Sequence, residues 1–584
     1  MVISSFSKLY LGVAAFVFII CLATFLRVYE LNINPPALFG DEVDVGYQAY
    51  SLLTTGKDVS GRTLPLYLKS LTEYRASFYI YSAVPFVGIF GLNEWGVRLP
   101  AAFWGVVSLV GLFLLTRKLF NTYVGLSAMF LMAISPWHLQ YSRGSFEVTM
   151  LLSFLLFASW LTLLGLKKGY FLIPAALFFA ASFYIYSTAA VFVPLLLLLI
   201  AGIYLNNKSA LKQVGWSWLA GGIIIGALVL SGVVISIFGG QATNRFSGIS
   251  IFTDFVLLDK INLARTNMGY YTPEGEFKTS DQKVESFFHN KPTVYLQVFS
   301  TNYLKALSLN FLFGEGDINF RQSIHEMGEL YYFEIILLAC GVWVIARREE
   351  RKKVWFVFGW LLLAPIPASL TADGGYHATR LFIMLPPLVM LNALGLVFIL
   401  KALLFSDRKW LIYKYGTLGI LGVFMVLNMT FYFHRYYQHY PVESWRWWHV
   451  GFKEAMQYIA EHENEYEKVF FNNTYEPSLG RYLMWTQADP KRIQSQFNDL
   501  TAKENIVEGF HGFVFDKKYY FGTTAKQYEV DKLLKPGYLY MVAARDEVQG
   551  DWDWSKTPPP AGVKVLKTVV NPQGAPIFYV VTKQ

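Results

Sequence analysis

Asp41 and Glu42 stand side by side shortly after an apolar run, and Arg75 follows in the same polar stretch. Adjacent carboxylates so near a lipid-compatible segment are costly unless they are paired, solvated or put to work. Carboxylates with a nearby cation suit one kind of chemistry. A carboxylate within about 3 Å of a hydroxyl can take its proton, and a cation can offset negative charge beside it. The plain reading makes Asp41 or Asp44 the N-cap of a helix starting near Val45. Further along, Arg143 precedes Glu147 by one helical turn, and the two can simply pair. In GEGDINFRQSIHEMGELY (314–331), Arg321 with Asp317, Asn319 and His325 either lines a cavity and grips phosphate or caps the next helix. In DGGYHATR (373–380), Arg380 beside His377 reads as a phosphate clamp, because glycines let ligand approach closely. Its plainer reading is a side chain reaching toward headgroups. His138 reads as a loop or cap residue. Asp41, Glu42 and Glu147 also offer hard oxygen ligands for a divalent cation. No glycine-rich phosphate loop is present, which argues against direct use of ATP or a dinucleotide.

The elements that must hold these groups are mostly membrane helices. Of 584 residues, 54% are hydrophobic and only 16% charged, against about 25% charged in a soluble domain. Runs of roughly 17–25 apolar residues can each cross a bilayer. About eleven are expected, at 9–26, 98–116, 122–137, 148–166, 170–184, 189–205, 216–238, 331–346, 354–369, 381–400 and 415–433. Threaded alternately, they put Arg117-Lys118, Lys167-Lys168, Lys208 and Lys212, Arg347 to Lys353, and Lys401 with Arg408, Lys409 and Lys414 on one side. The positive-inside rule makes that side cytoplasmic. The N-terminus then lies inside a plasma membrane, and 27–97, 239–330 and 434–584 lie outside. Leu9 to Leu26 has no A-x-A site after it and reads as an uncleaved first helix. Segments 44–55 and 76–91 are too short or broken to span and read as interfacial or re-entrant helices.

The net charge of +9 follows this loop pattern and does not point to nucleic acid. Cys21 and Cys340 both fall in apolar runs, so no disulfide framework is expected. The expected division is a membrane domain, 1–433, and an extracytoplasmic soluble α/β domain, 434–584. In the latter, 452–463 reads as a helix, 468–472 as a strand, and 563–570 with 576–583 as a strand pair. The Trp and Tyr cluster at 433–449 reads as a membrane-interface belt.

Three stretches carry a family resemblance. They are Leu31 to Tyr47, with Pro35, Pro36, the Asp41-Glu42 pair and Tyr47; FGLNEWGVRLPAA (90–102); and SPWHLQYSRGSFE (135–147). Together they resemble the GT-C membrane glycosyltransferases, in particular the group of protein O-mannosyltransferases and lipid A aminoarabinose transferases. The resemblance covers roughly the first 200 residues in order and implies an all-α polytopic GT-C fold. It implies an inverting transfer of one sugar from a polyprenyl phosphate to an acceptor hydroxyl on a lipid, a glycan or a protein. Asp41 would be the catalytic base with Glu42 supporting it, and Glu147 the acidic residue of the second outer loop. Arg75 would meet the donor phosphate, where the family usually has lysine; Ala76-Ser77 replaces the family's usual proline. No obligatory metal or other cofactor is implied. Two rival classes are a flippase of lipid-linked glycans, which should show midspan charges and repeated halves, and a non-catalytic envelope assembly protein.

Overall fold

A computed structural model describes residues 5–71, 73–205, 208–240, 248–266, 269–279, 282–404, 411–524, 530–544, 553–554, 556 and 558–584. The chain is mostly helical. Helices at Tyr10–Val28, Glu94–Leu119, Val148–Gly165, Trp216–Phe238, Ala378–Leu403 and Tyr415–Glu443 are long and apolar enough to cross a membrane. The remaining expected spans coincide with shorter helices, including Thr122–Ile134, Ala189–Tyr204 and Phe333–Ala346. The 354–369 span is a helix at Arg351–Leu363 followed by a short turn, Ile366–Ser369. Pro365 and Pro367 break it there, because proline lacks the N–H that would continue the ladder. Arg408 and Lys409 lie outside the described residues.

Two compact units divide the chain: Met1–Leu26, Trp104–Tyr141 and Glu147–Tyr432 form the first, and Arg27–Phe103, Ser142–Phe146 and Phe433–Gln584 the second. In the first, Phe333–Ala346 packs against Leu385–Leu404 with backbones nearly touching. A Cβ on Gly341 would sit 1.9 Å from the Leu391 carbonyl oxygen, and one on Gly395 2.0 Å from that of Leu337. Small residues at a crossing are how membrane helices gain contact where no hydrophobic force acts between them.

The second unit holds the first expected outer loop and the tail. Helix α1, Gly40–Thr55, is followed by a hairpin pairing Tyr67–Lys69 with Tyr74–Ala76 in the register Leu68 opposite Arg75. Helix α2, Phe78–Phe90, contains Pro85. The expected start of α1 near Val45 is corrected: the helix begins at Gly40, so neither Asp41 nor Asp44 is its N-cap. The tail folds into a seven-stranded sheet in the order 563–570, 576–583, 538–543, 468–472, 519–524, 510–515, 503–507. The expected helix is present at Phe452–His462, the first strand at Lys468–Asn472 and the final pair at Val563–Val570 and Pro576–Lys583. Lys468–Asn472 runs parallel to both its neighbours, and Tyr538–Ala543 is buried on both faces, as strands inside a mixed sheet must be.

Candidate active site

The order of the second unit's polar cluster begins with Arg98. Its guanidinium is fully buried and meets the equally buried Glu42 through Nε at 3.0 Å and Nη2 at 3.2 Å. The remaining N–H groups donate to the carbonyls of Leu31 at 2.9 Å, Pro35 at 2.8 Å and Ala37 at 2.5 Å. Trp448 lies over the same guanidinium, 5.6 Å from its ring centroid. Glu42 also accepts from the backbone N–H of Ser145 at 2.9 Å and of Phe39 at 3.3 Å. Four donors occupy the acceptor capacity of one carboxylate. Glu42 therefore fixes the loop before α1 and the 142–146 segment around one charge.

Asp41, one residue earlier, differs. Its carboxylate is 47% exposed and pairs with Arg75 Nη2. The same guanidinium reaches Asp44 through Nε at 2.9 Å and Glu73 at 3.5 Å. Ser70 Oγ donates to Asp44 at 2.8 Å. Burial pushes the Asp44 carboxyl above its ordinary range, opposed by Arg75 and Ser70. Asp41 and Glu42 both lie in the first turn of α1, where the helix dipole favours negative charge. The pair is thus split by environment: one carboxylate is sealed and saturated, the other half in solvent and held by a cation.

Arg143 is buried, donating to Tyr436 Oη and to the Asn34 carbonyl, both at 2.9 Å, and it lies over the Tyr436 and Tyr437 rings. Tyr47 is buried and its hydroxyl donates to the Ala488 carbonyl at 2.9 Å. The structure thus gathers Asp41, Glu42, Arg75, Arg143 and Tyr47 into one unit. Arg98 was not singled out from the sequence; the available signal was a charge inside a long apolar run, which is rare without a purpose.

Glu147, Arg321, His377 and Arg380 belong to the first unit. Glu147 precedes helix Val148–Gly165, and its carbonyl accepts from Leu151 at 3.1 Å. Arg321 is half-buried, with its carbonyl bonded by Gln140 at 2.8 Å. Arg380 donates to Thr371 Oγ1 at 2.7 Å and pairs with Asp373, which His377 Nε2 approaches to 4.0 Å. Asp317 accepts from the Ala378 backbone N–H at 2.8 Å, and its own N–H donates to buried Glu329 at 3.3 Å. Among the described residues, no group of three or more His, Cys, Asp or Glu is disposed to hold a metal.

Burial pushes Asp317 from 3.8 up to about 6. A folded-state pKa above the unfolded one means that the charged form costs stability at neutral pH, and this cost disappears as pH falls through about 6 toward 4. Asp317→Asn removes the titration and keeps one acceptor, for the N–H of Ala378 or of Asn319, with its NH₂ turned toward the other. Relative to wild type, the variant is expected to be more stable at pH 7.5 than at pH 5, because wild type alone carries the cost of the buried charge at the higher pH. Thermal scans in detergent at both values check this, and a gap independent of pH contradicts it.

Six helices among the described residues are long and apolar enough to cross a membrane, as a multi-pass membrane protein requires. Apo ArnT from Cupriavidus metallidurans aligns over 97% of this chain and 97% of its own, at TM-score 0.52 and 11% identity. The same protein bound to undecaprenyl phosphate aligns over 99% and 98%, at TM-score 0.51 and 10% identity. The archaeal oligosaccharyltransferase AglB from Archaeoglobus fulgidus, in complex with an inhibitory peptide and a dolichol-phosphate, aligns over 84% of this chain at TM-score 0.49 and 12% identity. This chain covers 64% of AglB's length. Residues 78–235 match the model of the dolichyl-phosphate-mannose-protein mannosyltransferase family. YkcB of Bacillus subtilis (strain 168), which bears a provisional mannosyltransferase name, is 35% identical over 91 residues. That stretch is 16% of this chain and 13% of YkcB.

Proposed function

We propose that this protein is an inverting glycosyltransferase that moves one sugar from a polyprenyl phosphate to an acceptor hydroxyl at the outer face of the plasma membrane. The observation that carries the reading is Asp41: an exposed carboxylate at a helix N-terminus, oriented by buried Arg75. In this reading Asp41 takes the acceptor proton as the hydroxyl attacks the anomeric carbon and the lipid phosphate departs. Glu42 supports it by holding the loop. Arg75 already faces three carboxylates, so its main work is to hold and aim Asp41. Arg143, Glu147, Arg321, His377, Arg380 and Tyr47 are proposed to bind substrate or its phosphate. The family match at 78–235 and the fold shared with a protein solved with undecaprenyl phosphate support a lipid-linked donor. No obligatory metal is proposed; of the three carboxylates that could meet a divalent cation, Glu42 is already saturated by four N–H donors.

The reading includes about eleven spans with the N-terminus inside, a membrane part at 1–433 and an outer part at 434–584. The lipid that copurifies with the protein tests it. Wild type is expected to yield polyprenyl phosphate by mass spectrometry, whereas Asp41→Asn retains the same lipid with its sugar attached. Recovery of bulk phospholipid alone from both proteins would remove the donor assignment. A flippase would carry the same glycosylated lipid in both.

A further inference from the structure

The first unit contains a second charged feature that sugar transfer does not use. A cavity of about 520 Å³ is lined by Lys118, Lys167, Arg351, Lys352, Lys353 and Glu350. These cations come from three separate places: the end of helix Glu94–Leu119, the turn after Val148–Gly165, and the start of Arg351–Leu363. Glu350 is the sole carboxylate among the described lining residues and is already shared by Lys353 and by Arg348 at 3.4 Å. Five positive charges against one negative leave a surplus of four around a single hollow. Leu119, Leu163, Leu166 and Val214 supply apolar wall, which strengthens any electrostatic contact made there. Tyr204 lies under Lys352, its ring centroid 5.7 Å from Nζ.

Membrane topology explains why these residues share a side, but it does not require them to converge on one cavity, where they repel each other. We propose that the cavity binds a phosphate-bearing anion, either a phospholipid headgroup or a water-soluble phosphate ester. Lysines meet phosphate as point charges and Arg351 can do so bidentately. The volume falls within the range of small-ligand sites, roughly 300–1,000 Å³, ample for a glycerophosphate group.

Full-length protein in neutral detergent, titrated with short-chain phosphatidylglycerol and followed by native mass spectrometry, tests the proposal. Wild type is expected to hold one phosphatidylglycerol in preference to phosphatidylcholine. Each lysine near an anionic surface is worth about fivefold, so Lys118→Ser with Lys352→Ser should weaken binding roughly 30-fold. Lys352→Ser alone, at an exposed position, should weaken it about fivefold and serves if the double variant does not fold. Lys401→Ser removes a cation that does not line the cavity and should leave binding unchanged. Displacement by glycerol phosphate assigns a soluble ester, and persistence against it assigns a lipid headgroup. Equal losses in the Lys401 and Lys352 variants, or no preference for phosphatidylglycerol, would overturn the site.

Discussion

Asp41→Asn is expected to lower kcat for sugar transfer by about 10²–10⁴-fold while leaving the donor KM close to wild type. The substitution is nearly isosteric. Its amide oxygen still accepts from Arg75, but it cannot take a proton from an acceptor hydroxyl. The fold should tolerate it: the carboxylate is 47% exposed, and an ion pair with one partner in solvent contributes only about 0–1 kcal/mol. A thermal midpoint near that of wild type, together with the kinetic loss, separates chemistry from folding. Arg75→Lys supplies the graded companion. It keeps one charge but loses the fork that reaches Asp41 through Nη2 and Asp44 through Nε. It should therefore lower kcat by less than Asp41→Asn does, through looser positioning of the Asp41 carboxylate. If Asp41→Asn retains kcat within about tenfold, well inside what a lost general base costs, the proton must go elsewhere and the assignment fails.

How much of this arrangement could be seen in the residues themselves depended on whether a local signal existed. The long apolar helices were visible because a membrane demands uninterrupted hydrophobic length. The pair Val563–Val570 and Pro576–Lys583 was visible because Asn-Pro-Gln-Gly between two β-rich runs marks a turn. The strands Lys503–Val507, Phe510–Phe515, Tyr519–Thr524 and Tyr538–Ala543 were not read. Tyr538–Ala543 is buried throughout and shows no alternation. Gly512 and Gly522, which would argue against strands, sit where facing backbones come within 2.0 Å of an added Cβ. Asp41 and Glu42 were legible as a pair, and their roles followed from the family resemblance alone; the difference between their environments was not legible. It rests on Arg98 reaching carbonyls 61, 63 and 67 positions away, a relation no local pattern encodes. The early start of α1 has the same origin, since the Glu42 carboxylate that accepts from the Phe39 N–H is placed by Arg98.

Arg98→Met should be the most destabilising single change in the second unit. It strips the partner from a carboxylate with no exposure, and an uncompensated buried charge costs about 3–5 kcal/mol. It also abandons the carbonyls of Leu31, Pro35 and Ala37, and an unsatisfied buried acceptor costs about 1–3 kcal/mol. These costs do not add fully, because the loop can open to water, but even the first is a large share of a stability of about 5–15 kcal/mol. The expected result is a protein that melts many degrees lower or fails to accumulate. Glu42→Gln alone leaves Arg98 its three carbonyls but removes its counter-charge: the amide oxygen can accept from Ser145 or from Phe39, and the NH₂ group faces the other backbone N–H and one Arg98 N–H. The double variant decides between a coupled pair and two independent losses. If charge desolvation dominates, removing both charges should recover part of the Arg98→Met deficit, because Met beside a neutral Gln leaves no isolated ion. If the double variant is instead as unstable as the two losses summed, then Arg98 acts chiefly through the three carbonyls. In that case the loop before α1, and with it the aim of Asp41, is held by backbone hydrogen bonds and not by the Glu42 charge.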